Sequence, residues 1–166
     1  SDEPLTVAQN LPDIDGMVIV TTPQDVALLD SRKSITFANS LKVDVIGVIE
    51  NMSGYTVRGK APSGTEIELA APGGKTIRVT ADDEGHWFGT LDIFKSGGGE
   101  KTAEEFGVPF LGKLPFDPGF VRGGDDGVHR IVSEPEGASS QAFANVVAEI
   151  QTRVESGSTD GGLEII

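Results

Sequence analysis

The sequence predicts an α/β fold, with a parallel sheet, flanking helices and an antiparallel β-hairpin insertion. Two apolar segments, at residues 16–22 and 43–49, are separated by an amphipathic segment at 24–41, and Met17 to Val20 is continuously apolar. Continuous apolar runs are typical of strands that are buried on both faces of a parallel sheet. Two such strands joined by a helix form a right-handed βαβ unit. At 65–80, polar and apolar residues alternate instead, as in antiparallel strands with one solvated face.

The segment at 24–41 is predicted to be a helix because its apolar residues share one arc of a helical wheel, opposite Arg32 and Lys33. A short helix at 3–10, with Pro4 near its first turn, is predicted to precede the first strand. The apolar arc consists of Val26, Ala27, Leu28, Ile35, Phe37, Ala38 and Leu41.

The second half of the chain is predicted to add a third buried strand and further helices to this sheet. A glycine turn at 97–99 opens one helix, and Gly107 closes it. In chain order, we expect a helix at 100–106, a strand at 109–114, a helical turn at 117–124 and a last helix at 138–154.

Residues 55–91 interrupt this pattern and are predicted to form the insertion. Its hairpin joins strands at 65–69 and 75–80 through the turn at 72–74. A third short strand is expected at 86–88. The insertion therefore reads as a small antiparallel unit carried by the α/β body.

A chain of 166 residues is long enough for one domain with a real core. We expect a single α/β domain over residues 1–154, with the insertion inside it, and a flexible tail at 155–166.

The balance of charge excludes several classes of partner. Acidic residues number 26 and basic residues 13, which gives a net charge of −13. Nucleic acid and anionic membrane surfaces are disfavoured, because phosphate contacts require clustered Lys and Arg. The chain has no cysteine, no apolar run that could span a bilayer and no visible signal peptide, so a cytoplasmic location is expected. The scattered acidic residues also suggest the hypothesis of a salt-loving source.

Polar groups follow two of the predicted strands. Asn51 follows the apolar run at 43–49 with only Glu50 between them, and Pro115, Phe116 and Asp117 follow the strand at 109–114. The ends of parallel strands form the usual ligand crevice of an open α/β sheet. An Asn amide there can pair with the edge of a nucleobase, since it offers both a donor and an acceptor. The alternative is structural, with Asn51 closing a turn and Asp117 capping a helix.

The glycine turn at 97–99 and the two histidines do not match known phosphate-binding or metal-binding motifs. The glycine turn at 97–99 does not fit a phosphate-binding loop, because Glu100 and Lys95 occupy the two positions where that motif requires glycine before Lys101. We therefore interpret this turn as a helix cap whose glycines permit close approach of a neighbouring group. The two histidines are far apart in the sequence and give no metal-binding spacing, so no metal site is predicted.

Several segments in order resemble one family, the Mrp/ApbC-type iron–sulfur cluster carrier ATPases, which are relatives of MinD and of the nitrogenase iron protein. The motif Glu50-Asn51-Met52-Ser53-Gly54 is one of them. The resemblance covers residues 15–28, 32–35, 47–54, 92–112 and 114–118.

The resemblance implies half of a P-loop NTPase fold that binds ATP and Mg²⁺, forms a homodimer and delivers clusters to iron–sulfur client proteins. It also implies that Asn51, Pro115, Phe116 and Asp117 hold the adenine. The family's phosphate-binding loop would precede Ser1, so the chain resembles a C-terminal half and should not hydrolyse ATP alone. Many members carry Cys-x-x-Cys soon after the Asn-Met-Ser-Gly motif, whereas this chain has Tyr55 to Arg58 there and lacks the thiolates that usually hold clusters.

Two further hypotheses belong to other classes. A non-enzymatic interaction module would dock a partner through the hairpin at 65–80 and retain only a vestigial nucleotide crevice. A MinD-like positioning ATPase is disfavoured, because no basic amphipathic membrane helix ends the sequence.

Overall fold

A computed structural model describes Thr6, Asn10, Leu11 and residues 14–71 and 74–160. In chain order its elements are β1 (Met17–Thr21), α1 (Asp25–Leu41), β2 (Val45–Glu50), β3 (Tyr55–Lys60), β4 (Glu66–Ala70), β5 (Thr76–Thr80), β6 (His86–Leu91), α2 (Gly98–Phe106), β7 (Phe110–Lys113), α3 (Pro118–Asp126), α4 (Arg130–Ser133) and α5 (Ala138–Asp160). Among these described residues, no helix combines the length and apolar character that a membrane span requires.

The predicted parallel sheet is confirmed. β2 lies in the middle, between β1 and β7, and both pairings are parallel. Val48 of β2 is paired with Ile19 on one side and with Phe110 on the other. The carboxyl ends of all three strands therefore lie at the same edge of the sheet.

Helices cover both faces of the sheet, as the continuous apolar runs predict. On one face, Ile35 of α1 and Ala103 of α2 pack with Ile19 and Val48. On the other face, α5 contributes Val146 to a second cluster with Ile49 and Leu111. Ile35 and Val48 are fully buried, so this layered body contains the main core.

The insertion forms two antiparallel strand pairs. β4 and β5 make the predicted hairpin, while β6 pairs with β3, which the sequence analysis did not predict as a strand. Gly89 of β6 lets the two pairs approach, because a Cβ at that position would lie 2.7 Å from Leu69 Cδ1 and 3.2 Å from Val79 Cγ1. The two pairs thus pack their apolar sides against each other.

The boundaries differ from the predictions in a few places. α5 continues to Asp160, six residues beyond the predicted end, because no proline or left-handed glycine interrupts it. Residues 161–166 of the predicted tail, and most of the predicted helix at 3–10, lie outside the described residues. Val26, on the predicted apolar arc of α1, is 75% exposed and lies at the start of the helix, where residues 24–26 are all exposed.

Candidate functional site

The structure brings the two predicted strand ends together. β2 and β7 are neighbours, and the loops that follow them are joined by two backbone hydrogen bonds. The Ser53 N–H donates to the Leu114 carbonyl at 2.9 Å, and the Phe116 N–H donates to the Gly54 carbonyl at 2.7 Å. Tyr55 and Phe116 form a parallel bridge directly beyond these bonds. Asn51 and the segment 115–117 therefore border one edge of the sheet.

Asn51 takes part in the turn after β2, and its Nδ2 group remains without a hydrogen bond to the described residues. Its N–H donates to the Thr21 carbonyl at 2.7 Å, and its Oδ1 accepts from the Met52 N–H at 2.9 Å. Met52 adopts the left-handed conformation, with φ of 55°. Asn51 Nδ2 makes no hydrogen bond to any described residue, and the side chain is half-buried, so this donor remains available to a ligand.

Asp117 is the N-cap of α3, as its structural interpretation predicts. Its Oδ1 accepts from the Gly119 N–H at 2.8 Å, and its Oδ2 lies 3.4 Å from Arg130 Nε. Burial raises the pKa of this carboxyl, but hydrogen bonds from Gly119 and Ser139 together with the charge of Arg130 outweigh it, so the pKa is lowered overall. Asp117 is thereby held as a fixed anion.

A cleft of about 90 Å³ opens beside these residues. Tyr55 and Phe116 line it with their rings, whose centroids are 5.9 Å apart at an interplanar angle of 65°. Asp117, Arg130, Glu134 and the first turn of α5 form one part of its walls, and Thr56 and Arg58 of β3 form another. Of the predicted residues, Phe116 and Asp117 line this cleft, whereas Asn51 and Pro115 lie outside its lining.

Several polar residues of this cleft were not predicted from the sequence, among them Arg130 and Ser140. Arg130, on α4, pairs with both Asp117 and Glu134. Ser140, on the first turn of α5, is 2% exposed, and its Oγ has no hydrogen-bond partner among the described residues. No sequence motif marks either residue, because the fold alone brings their helices against Asp117.

Glu50 is the most deeply placed charged residue of the site, and the sequence analysis also missed its role. It is fully buried at the end of β2. Its carboxylate accepts hydrogen bonds from the Gly97 N–H at 3.1 Å, the Gly99 N–H at 2.7 Å and the Ser53 hydroxyl at 2.5 Å. The signal available in the sequence was an acidic residue that directly follows a buried apolar run.

This arrangement explains the glycine turn at 97–99. Its amides bind the chain's own carboxylate at the start of α2, where a helix favours negative charge. A Cβ on Gly99 would lie 2.9 Å from Glu50 Cβ, so only glycine permits this approach. The turn is therefore a structural anchor, in agreement with the predicted helix cap, and the amides of Gly97 and Gly99 are engaged within the chain.

The glycine turn also borders an exposed ion pair. Lys95 Nζ lies 2.5 Å from Asp25 Oδ2, and the hydrogen bond and charge of Lys95 lower the pKa of Asp25. Within the described parts of the chain, no group of three or more His, Asp or Glu residues could hold a metal ion.

The parallel sheet, the helices on both faces and the strand-end crevice define an α/β body of the P-loop NTPase kind. MinD of Pyrococcus horikoshii, solved as a complex with Mg-ADP, shares this fold with a TM-score of 0.52, at 17% identity over 91% of this chain and 45% of that chain. The cell division ATPase MinD of Pyrococcus furiosus gives a TM-score of 0.51, at 18% identity over 83% of this chain and 43% of that chain.

The family follows from sequence comparison. The ParA family model, described as NUBPL iron-transfer P-loop NTPase, matches residues 1–75 and 81–151. The chain belongs to this family.

Curated relatives carry the name iron-sulfur cluster carrier protein. The relative from Methanocaldococcus jannaschii is 37% identical over 93% of this chain, and the relative from Synechocystis is 37% identical over 92%. The chain spans only 43% and 36% of the lengths of these two proteins.

Proposed function

We propose that this chain forms the nucleobase-binding side of an ATP-dependent iron–sulfur cluster carrier of the Mrp type. The observation that carries the proposal is the pair of hydrogen bonds that ties the loops after β2 and β7 together beside the Tyr55–Phe116 cleft. This is the edge of the sheet where open α/β folds bind their ligands.

Each predicted residue has a role in this proposal. Asn51 Nδ2 donates to a ring nitrogen of the base, and the Phe116 ring packs against the base plane. Asp117 accepts a hydrogen bond from an exocyclic amine, and Pro115 fixes the entry of the loop. Hydrogen bonds from Gly119 and Ser139, together with the charge of Arg130, hold Asp117 in place and keep it ionised.

The phosphates and Mg²⁺ require residues from elsewhere in the full-length protein. The amides of Gly97 and Gly99 are engaged by Glu50, and no acidic cluster for a cation occurs among the described residues. We propose that a phosphate-binding loop outside these 166 residues supplies this part and that ATP hydrolysis depends on it.

The cargo is proposed from the names of the relatives, which are iron-sulfur cluster carriers. A cluster would be the substrate that such a carrier passes to client proteins, with the carrier acting as a homodimer in the cytoplasm. This chain has no cysteine and so provides no thiolate ligand. The ligands of any cluster would be other side chains or residues outside this sequence.

The test of the nucleobase site uses the full-length protein. Asn51→Ala should weaken ATP binding by ~1–3 kcal/mol, the scale of one unpaired buried polar group. Asn39→Ala, on the exposed side of α1, is the matched control and should leave the affinity unchanged. Equal affinities of the wild type and Asn51→Ala in calorimetry would defeat the proposal.

A second candidate is a non-enzymatic interaction module with a vestigial crevice. The small volume of the cleft, about 90 Å³, favours it, because ligand sites usually enclose about 300–1,000 Å³. Anaerobic cluster reconstitution of the full-length protein, followed by visible absorption, separates the two candidates. A coloured protein supports the carrier, and a colourless one supports the module.

A further inference from the structure

One exposed surface of the insertion has an unusual composition. Its residues point outward from the β3–β6 pair, and we call this surface the β3–β6 outer face. Arg58 is paired across the strands with Phe88, and Lys60 with His86. The face consists of Thr56, Arg58, Lys60, His86, Phe88 and Thr90, all of them exposed.

Two positively charged residues of this face, Arg58 and Lys60, lack an acidic partner. Neither Arg58 nor Lys60 forms an ion pair with any described residue, and the face itself contains no carboxylate. His86, at one end of the face, has acidic neighbours, because its Nδ1 lies 3.9 Å from Asp82 and 3.7 Å from Glu84. At the other end, Arg58 lines the cleft that also contains Asp117 and Glu134. The whole chain has a net charge of −13 and repels anions at long range. Arg58 and Lys60 therefore attract carboxylates only at short range, within about 10 Å.

Phe88 adds an apolar anchor to the same face. Its side chain is 73% exposed, although burial of a Phe side chain is favourable. Exposed aromatic residues beside arginine are enriched at protein interfaces and often carry much of the binding energy. Arg58 and Lys60 are two positions apart on β3 and so share one face of the strand. Their backbone positions lie about 6–7 Å apart.

We propose that the β3–β6 outer face binds an acidic segment of a partner protein, with an apolar side chain of that segment packed on Phe88. Charge complementarity favours this occupant over nucleic acid, because a phosphate chain would extend beyond the small face and meet the acidic body. Thr56 and Arg58 of this face also line the Tyr55–Phe116 cleft, but binding of an acidic segment does not require that cleft to hold a nucleotide.

The probe for this surface is a fluorescein-labelled peptide, Gly-Asp-Glu-Phe-Glu-Asp-Gly, titrated with the complete protein at physiological ionic strength. Lys60→Glu and Phe88→Ser should each weaken its binding about tenfold, the effect of losing one anchoring side chain. The matched control is Lys75→Glu, which makes the same charge change on an exposed residue of the insertion outside this face. It should leave the affinity within about twofold of the wild type.

Three control ligands test which chemical features of the peptide are recognised. A peptide with Ser in place of Phe should bind about tenfold more weakly, as should a peptide with Asn and Gln in place of the acids. Oligothymidylate of similar length should bind more weakly than the acidic peptide. Circular dichroism confirms that each variant is folded, and Phe88 and Lys60 are exposed enough for folding to be retained.

The proposal is overturned by any of four results. These are absence of peptide binding to the wild type, an equal loss of binding in Lys75→Glu, tighter binding of the oligonucleotide, and self-association that disappears in Phe88→Ser while the peptide fails to bind. ATP affinity, measured in parallel, separates failure of this proposal from failure of the nucleotide site.

Discussion

The body and the insertion of this protein reach stability in different ways. In the body, Ile35, Ala38 and Val48 have no exposed surface, and the sheet is covered on both faces. In the insertion, Trp87 and Leu69 are only half-buried, and the two strand pairs meet on one side only. The insertion therefore buries less apolar surface per residue, and we expect it to open more readily than the body.

Charge separates the two regions as well. Residues 55–91 contain five acidic and four basic residues, while the rest of the chain contains 21 acidic and nine basic ones. Nearly all of the net negative charge thus belongs to the body. The difference indicates that the acidic body favours solubility, whereas the near-neutral insertion is the region suited to contact with another molecule.

The largest effect is expected from a substitution that removes the Glu50 carboxylate, the anchor of the glycine turn on the body. Glu50→Ala removes a buried carboxylate and leaves the amides of Gly97 and Gly99 without an acceptor. We expect the free energy of unfolding to fall by about 3–5 kcal/mol, from the unpaired amides and the cavity together. Urea denaturation measures this change. Glu104→Ala, at an exposed position of α2, the helix that begins beside Glu50, should change stability little. Equal losses of stability in both variants would contradict the role of Glu50 as an anchor.

The next prediction targets the insertion alone. Gly89→Val places a branched side chain where Leu69 Cδ1 lies 2.7 Å from the Cβ position. Overpacking of this kind should cost about 1–3 kcal/mol. Hydrogen exchange should show faster opening of β3 to β6 while the parallel sheet remains protected.

The control for this variant is Thr90→Val, an isosteric change on the exposed side of the same strand. It should leave the exchange rates of both regions unchanged. If Gly89→Val destabilises the parallel sheet to the same degree as the insertion, the two regions unfold together and the comparison between them fails.

The same contrast explains what the sequence could predict. The apolar runs at 16–22 and 43–49 and the alternation at 65–80 are local patterns, and each produced the predicted strand or hairpin. β3 was missed because its partner β6 begins 26 residues after β3 ends, and non-local pairing leaves no local signal.

In the candidate site, too, features that follow from local sequence could be predicted and features that depend on distant contacts could not. The convergence of the loops at Asn51 and Phe116 followed from the rule for parallel strand ends. The roles of Glu50, Arg130 and Ser140 did not follow, because each depends on contacts between elements distant in sequence. The assignment of Asn51, Pro115, Phe116 and Asp117 to a nucleobase stays a prediction.

A smaller effect is expected at the junction between the two regions, where Asp117 caps α3. Asp117→Ala should reduce stability by about 1 kcal/mol, the usual value of an N-cap. Because the folded-state pKa lies below the unfolded value of 3.8, the ionised carboxyl contributes stability above about pH 3.8. This contribution is lost as the pH falls through the folded-state pKa.

Denaturation from pH 7 to pH 2 measures this dependence. The difference in stability between the wild type and Asp117→Asn should be constant above pH 5 and should shrink at lower pH. A difference that grows on acidification would contradict the lowered pKa of Asp117.

The smallest effect concerns the exposed pair of Asp25 and Lys95 on the body. Lys95→Ala should raise the pKa of Asp25 toward its ordinary value, because the hydrogen bond and charge of Lys95 are what lower it. Both side chains are exposed, so solvent screens the pair and the unfolding temperature should not change measurably. Carbon-detected NMR titration measures the pKa, and Lys33→Ala, which removes the partner of Asp30, is the control. An unchanged Asp25 pKa in Lys95→Ala would mean that the pair does not persist in solution, and the charge of the body would then act only through its long-range field.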